Sequence, residues 1–272
     1  MKSNGNGLRT YAILYLIFLY APIILLPLFA FNDGTIIAFP LKGFSTRWFE
    51  AMWEQDQLWI AVKNSLIVAG CTAVMATTLA TFAARSSTRF DYRGKGAILG
   101  LIMMPLVLPE MIVAMALLVV VLQVFGDQAL GLTTMIAGHT LICTPFAIAI
   151  MTASFQSLDK SLEEAAYDLG EGKLSTFWLV ILPLVLPGII SSLLISFTIS
   201  MDEFIIANFL GGTKQTLPVY IYSSLRFPKA IPVIMAVATC LVAVSICLLI
   251  IAEYFRRRGV AKTGGKDSGG FL

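Results

Sequence analysis

Residues 157–183 read Ser157-Leu-Asp-Lys-Ser-Leu-Glu-Glu-Ala-Ala-Tyr-Asp-Leu-Gly170, then Glu-Gly-Lys-Leu-Ser-Thr-Phe-Trp-Leu-Val-Ile-Leu-Pro183, a polar stretch that runs into a long apolar one. Its first half has the pattern of a short helix with a hard stop. Ser161 and Glu164 stand three apart as a capping box, with a start at Ser157 as the alternative, and Gly170 supplies the left-handed residue that closes a helix. Leu158, Leu162, Ala165 or Ala166, and Leu169 fall at helical spacing, so one face is apolar, with Asp159, Glu163 and Asp168 around it. The spacing predicts a second helix from Ser175 into the apolar segment. A helix so placed lies on a lipid surface, packs on the protein's own helices, or meets a soluble partner. Asp159, Glu163, Glu164, Asp168 and Glu171 outnumber Lys160 and Lys173, a balance that anionic lipid repels, and this favours docking to a partner.

On both sides of this loop the chain is apolar. Of its 272 residues 58% are hydrophobic and 13% charged, and the mean hydropathy is +0.85, more than one soluble core can use. A helix crosses the hydrocarbon with about 20 apolar residues, because unpaired backbone polar groups are too costly there. Six segments meet that length, approximately Tyr11–Phe31, Ser65–Ala84, Ala97–Leu122, Leu132–Ala153, Phe177–Met201 and Ala230–Ala252. The expected fold is all-α, a polytopic membrane protein with six transmembrane helices. Residues 1–10 form a cytoplasmic N-terminal segment, residues 11–256 the membrane domain with its cytoplasmic loop at 154–176, and residues 257–272 a disordered cytoplasmic tail. The first apolar segment is too long for a signal peptide and lacks a small-residue cleavage site, so it reads as a retained anchor.

Most of the 19 Lys and Arg residues lie in the two tails and in the loops after the second and fourth segments. By the positive-inside rule both termini and the 154–176 loop are cytoplasmic, and the loop from Asn32 to Asn64, with Trp48, Trp53 and Trp59 for the headgroup zone, faces outward. A net charge of +3, with no basic stripe, gives no reason to expect nucleic acid as a partner. Cys71, Cys143, Cys240 and Cys247 lie in apolar runs without zinc or redox spacing, and read as inert buried side chains; no metal site is expected. No internal repeat is evident.

The run Glu164-Ala165-Ala166, three residues, Gly170, nine residues, Val180, one residue, Leu182-Pro183 resembles the EAA loop of ABC importer permeases. Val180 stands where that family usually has Ile. The resemblance implies the type-I importer fold. It also implies that Glu163, Glu164, Ala165, Ala166, Asp168, Gly170, Leu182 and Pro183 belong to an ATPase-coupling element, with Glu164 as acidic anchor and Gly170 as the bend between two coupling helices. The implied partners are a dimer of ATPase subunits that use ATP and Mg, a second and similar permease subunit, and an outer substrate-binding protein, in a bacterial inner membrane. Phe31-Asn32, Gly43-Phe44-Ser45-Thr46-Arg47-Trp48 and Ser196-Phe197-Thr198-Ile199-Ser200-Met201-Asp202-Glu203 are similar to strings in the spermidine and putrescine permease subgroup, which implies a polyamine as cargo.

Three carboxylates are candidates for the substrate pathway. Glu110 sits inside the third apolar segment, where an ionised carboxylate facing lipid costs at least about 2.5 kcal/mol, so it must face protein or water; Pro105 and Pro109 beside it kink the helix. Asp202 and Glu203 end the fifth segment, and a carboxylate cluster attracts a polycation; the plainer reading is that they mark a helix end. An ion-coupled carrier or channel built on Glu110 is the alternative function. His139 reads as a helix contact. No phosphate-cradling loop is present: Gly170-Glu-Gly-Lys-Leu-Ser lacks the first glycine at the required distance. Without a nucleophile beside a base the chain is expected to catalyse nothing itself and to need no cofactor.

Overall fold

The computed structural model describes residues 5–263. In chain order its helices are α1 (Gly5–Ala30), α2 (Arg47–Trp53), α3 (Asp56–Arg89), α4 (Lys95–Met103), α5 (Glu110–Val124) and α6 (Leu132–Gln156). These are followed by α7 (Ser161–Asp168), α8 (Lys173–Thr176), α9 (Leu182–Asp202), α10 (Ile205–Leu210), α11 (Leu217–Ser224) and α12 (Ile231–Thr263). Five helical stretches are long and apolar enough to cross a membrane, Gly7–Ala30, Asp56–Arg89, Leu132–Gln156, Lys173–Asp202 and Pro228–Cys247. The pair Lys95–Leu106 and Glu110–Val124 makes a sixth crossing only when taken together, because it is bent by 103°. The sequence led to the expectation of one third span kinked at its prolines. Pro105 and Pro109 each remove a backbone donor, and the chain breaks between them instead of kinking.

Two compact units make up the chain, Gln57–Tyr222 and the segments flanking it on both sides. In the flanking unit α1 packs on α12, and α2 packs on α12 as well. The loop before α2 is tied down rather than free: Asn32 is buried and bridges Phe44, Ser45 donates its N–H to Phe31 O at 2.8 Å, and Trp48 Nε1 donates to Asn32 O at 2.7 Å. The two short strings Phe31-Asn32 and Gly43–Trp48 are therefore neighbours in space. Most of α1 is exposed on all sides, as suits a helix whose solvent is lipid.

The 57–222 unit is built on α3. Ala69, Ala76, Ala80 and Ala84 form a buried stripe of small side chains, which lets neighbouring backbones come close. Toward the 157–183 loop, Ala76, Ala80 and Ala84 pack with Cys143, Ile148, Met151 and Phe155 of α6 and with Ile181 and Val185. Toward the other end, Val68 packs with Val113 and Val121 of α5, Met135 and Ile142 of α6, and Ile206 and Leu210 of α10. Along α9 a buried edge of Ser192, Ser196 and Ser200 meets these helices with polar contacts. Thr77 Oγ1 lies 3.0 Å from Ser192 Oγ, Cys143 Sγ donates to Ser196 O at 3.6 Å, and His139 Nδ1 lies 2.7 Å from Ser200 Oγ. Each such bond contributes roughly 0.6 kcal/mol in a membrane protein, so the edge fixes register more than it adds stability.

Several expectations need correction. Cys143 alone of the four cysteines is buried; Cys240 is intermediate, and Cys71 and Cys247 are exposed, because an apolar helix in lipid has no need to hide its outer face. The disordered tail does not begin at residue 257, since α12 continues to Thr263, and residues 264–272 lie outside the described residues. Residues 47–53 and 56–64, taken as loop, are helical. Among the membrane glycines, Gly96 and Gly100 meet nothing within 4 Å, whereas Gly138 is closely packed: a Cβ there would stand 2.6 Å from Ile206 Cγ2 and 2.8 Å from Leu210 Cδ1. Gly138→Val is therefore expected to push α10 from α6 and cost about 1–3 kcal/mol, while Gly100→Val costs nothing measurable. Thermal unfolding of the purified variants in detergent checks the pair.

Candidate functional site: the 157–176 loop and a carboxylate pair

The loop helix α7 starts differently from its sequence pattern and stops as expected. No side-chain cap is made by the residue before it, and the Ser161 N–H is accepted by Asp159 Oδ1 at 3.0 Å in place of a Ser161–Glu164 box. That bond holds the Asp159 carboxyl below its ordinary pKa. At the other end Gly170 has φ +89°, Gly170 N–H donates to Tyr167 O at 2.9 Å, and Glu171 N–H donates to Ala166 O at 3.0 Å. This is the paired-bond stop that a glycine in the left-handed region allows.

The faces of α7 are divided sharply. Glu163 and Ala166 are buried, and Arg89 at the end of α3 donates from Nε to Glu163 Oε1 at 2.6 Å and from Nη2 to Leu158 O at 3.0 Å. Glu164, Ala165, Asp168 and Gly170 point away and are exposed. So are Leu162, Leu169 and Leu174, the last two 86% and 73% exposed. The apolar stripe expected on one face is thus split, with Leu158 turned toward the core and Leu162 and Leu169 left open. After α8 the chain passes through a π turn, Phe177–Ile181, before Leu182, which is half-buried, and Pro183, which is exposed, open α9.

At the opposite end of α9, Glu203 is buried while Asp202 is exposed. Glu203 Oε1 accepts the Ile206 N–H at 2.9 Å and so caps α10. Glu110 opens α5, immediately after the break in the third span, and its carboxyl stands within hydrogen-bonding reach of Glu203. Each carboxylate occupies a helix N-terminus, where the helix dipole favours negative charge. Two acidic side chains thus stand side by side where two helices begin. Asn208 lies on the exposed side of α10, and the Gly211-Gly212 turn closes with Lys214 N–H donating to Gly211 O at 2.8 Å. His139 is fully buried against Ser200, one turn before Glu203.

The family described as "Binding-protein-dependent transport system inner membrane component" matches residues 76–259. The chain belongs to that family. Among its curated relatives is the putrescine transport system permease protein PotI of Escherichia coli strain K12, 36% identical over 247 residues, with 89% of this chain and 87% of the relative covered. The spermidine/putrescine transport system permease protein PotC of Haemophilus influenzae is 30% identical over 242 residues, covering 89% and 93%. A chain of the crystal structure of a bacterial ABC transporter involved in the import of the acidic polysaccharide alginate superposes with a TM-score of 0.72 at 17% identity, over 94% of this chain and 99% of that one. A chain of the alginate transporter in complex with its pentasaccharide-bound periplasmic protein gives 0.68 at 21% identity, over 93% of each. At such identities these two speak for the fold, that of an importer membrane component.

Within this inner membrane component the sequence singled out Glu110, Asp202 and Glu203, and the structure brings the first and third together while leaving Asp202 outside the pair. Sequence reasoning missed Arg89, whose role has no local signature because its partner lies 74 residues away. Glu203→Ala is expected to lose the cap on α10 and about 1 kcal/mol of stability, whereas Glu110→Gln, which keeps the side chain's shape and a polar group beside Glu203, leaves stability unchanged. Denaturation in detergent at neutral pH reads both.

Proposed function

We propose that this inner membrane component is one of two permease subunits of an ATP-driven importer for a polyamine such as putrescine or spermidine. The observation that carries the reading is its likeness, along nearly nine-tenths of its length, to a putrescine permease and to spermidine/putrescine permeases. The energy comes from a separate ATPase dimer, which binds ATP and Mg, since a chain without a nucleotide-binding loop has no means of hydrolysing ATP. An outer binding protein delivers the cargo. Both termini and the 154–176 loop lie in the cytoplasm, in keeping with the Lys and Arg distribution.

The open side of α7 is the surface offered to the ATPase. Leu162, Leu169 and Leu174 supply apolar area, Glu164 supplies charge, and Gly170 sets the angle between α7 and α8. ATP binding and release in the partner then bias the membrane unit between outward and inward states. At the other end, Glu110 and Glu203, with Asp202 outside them, give an ammonium-bearing cargo negative charge to pass.

Two sets of variants test these roles in membranes that hold the whole transporter. Glu164→Lys and Gly170→Asp are expected to insert normally but lose ATPase recovery and uptake together; for Gly170 the damage is conformational, about 1 kcal/mol or more at φ +89°, because no atom crowds a Cβ there. Wild-type ATPase recovery with wild-type uptake in both would end the docking assignment. Glu110→Gln and Glu203→Gln are expected to lower uptake of radiolabelled putrescine while ATPase recovery stays normal. Unchanged uptake in both, and in Asp202→Asn, removes these carboxylates from the pathway.

A further inference from the structure

α3 is gripped at both ends by the two regions that a transporter must connect. At its loop end Arg89 forms a pair with Glu163 at 2.6 Å, the two side chains only 9% and 11% exposed, and also holds Leu158 O. One turn earlier the Arg85 guanidinium lies 4.7 Å from the centre of the Phe177 ring, in the π turn on the other side of α7. The two arginines thus hold the loop before and after its bend. At the far end of α3, Asn64 Nδ2 donates to Gln215 O at 2.9 Å and Ser65 Oγ accepts the Leu217 N–H at 2.8 Å. Gln215 and Leu217 come after the Gly211-Gly212 turn that ends α10, the helix capped by Glu203.

Two routes therefore lead from α7 to the carboxylate pair. The covalent one runs up α9 and is soft at its base, where a π turn, Pro183 and Pro187 interrupt the α-helical ladder. The lateral one runs up α3, 34 residues of α-helix without a proline, about 50 Å long. A pull on α7 meets less give along α3 than along α9. We propose that α3 is the rod that carries movement of the loop to the carboxylate end, with Arg89–Glu163 as its lower joint and Ser65–Leu217 as its upper one. Glu163 and Glu164, adjacent in sequence, then have separate tasks: Glu163 ties α7 to the rod, and Glu164 is left for the partner. This rests on the reading of α7 as the ATPase-docking helix, and Arg89 acts as a positioning residue through Glu163.

The test uses the full transporter, with its ATPase, partner permease and binding protein, in proteoliposomes supplied with radiolabelled putrescine. The wild-type complex must retain its ATPase; if it does not, the docking reading itself falls, and the rod with it. Given retention, Arg89→Gln is expected to keep ATPase recovery and ATP hydrolysis but lower uptake per ATP about tenfold, within the usual range of site-to-site coupling. Arg89→Glu combined with Glu163→Arg is expected to recover uptake that either change alone abolishes, which a double-mutant cycle measures. Ser65→Ala, too small a change to prevent folding, should lower uptake per ATP with the ATPase still bound. Wild-type coupling in Arg89→Gln or in Ser65→Ala overturns the proposal. So does loss of the ATPase from Arg89→Gln to the extent seen in Glu164→Lys, since Arg89 would then serve docking alone.

Discussion

A backbone amide in hydrocarbon finds no water, and every unpaired N–H or carbonyl there costs several kcal/mol. That cost dictates the helical crossings of this chain and also where they are allowed to fail. The one crossing that breaks does so at Met104–Pro109, where two prolines have already removed their donors, and a carboxylate comes at once after them. The break is thus a place where polar groups collect, and Glu203 arrives there from the end of α9. The same constraint explains the serine edge of α9, whose hydroxyls turn toward Thr77 and His139 rather than toward lipid.

The legible part of the fold was the part that depends on composition and local chemistry. Apolar length located the crossings, and Gly170 announced the end of α7 because few other residues tolerate its backbone. What stayed hidden depends on partners remote in sequence. Nothing in the pair Glu163-Glu164 says which of the two is buried; Arg89, a member of another helix, decides it. The capping pattern at Ser161 was overridden by Asp159, two residues earlier, whose shorter carboxylate reached the same N–H. Gly138 looked like any other membrane glycine until Ile206 and Leu210 were placed against it.

Charge in this molecule is sorted by end. At the loop end the acidic residues of α7 are either neutralised internally or turned outward, and basic side chains from α3 close the gap. At the other end Glu110 and Glu203 stand beside each other, and Glu203 meets the start of α10.

The π turn at 177–181 has a geometric consequence for the faces that the loop and α9 present to the rest of the molecule. Each such turn holds one residue more than an α turn, which rotates all later side chains by about 100° relative to those before it. The extra residue thereby sets the register in which Phe177 meets Arg85 and Ser192 meets Thr77, both on α3. In an uninterrupted helix the place opposite Thr77 would pass from Ser192 to a neighbouring residue.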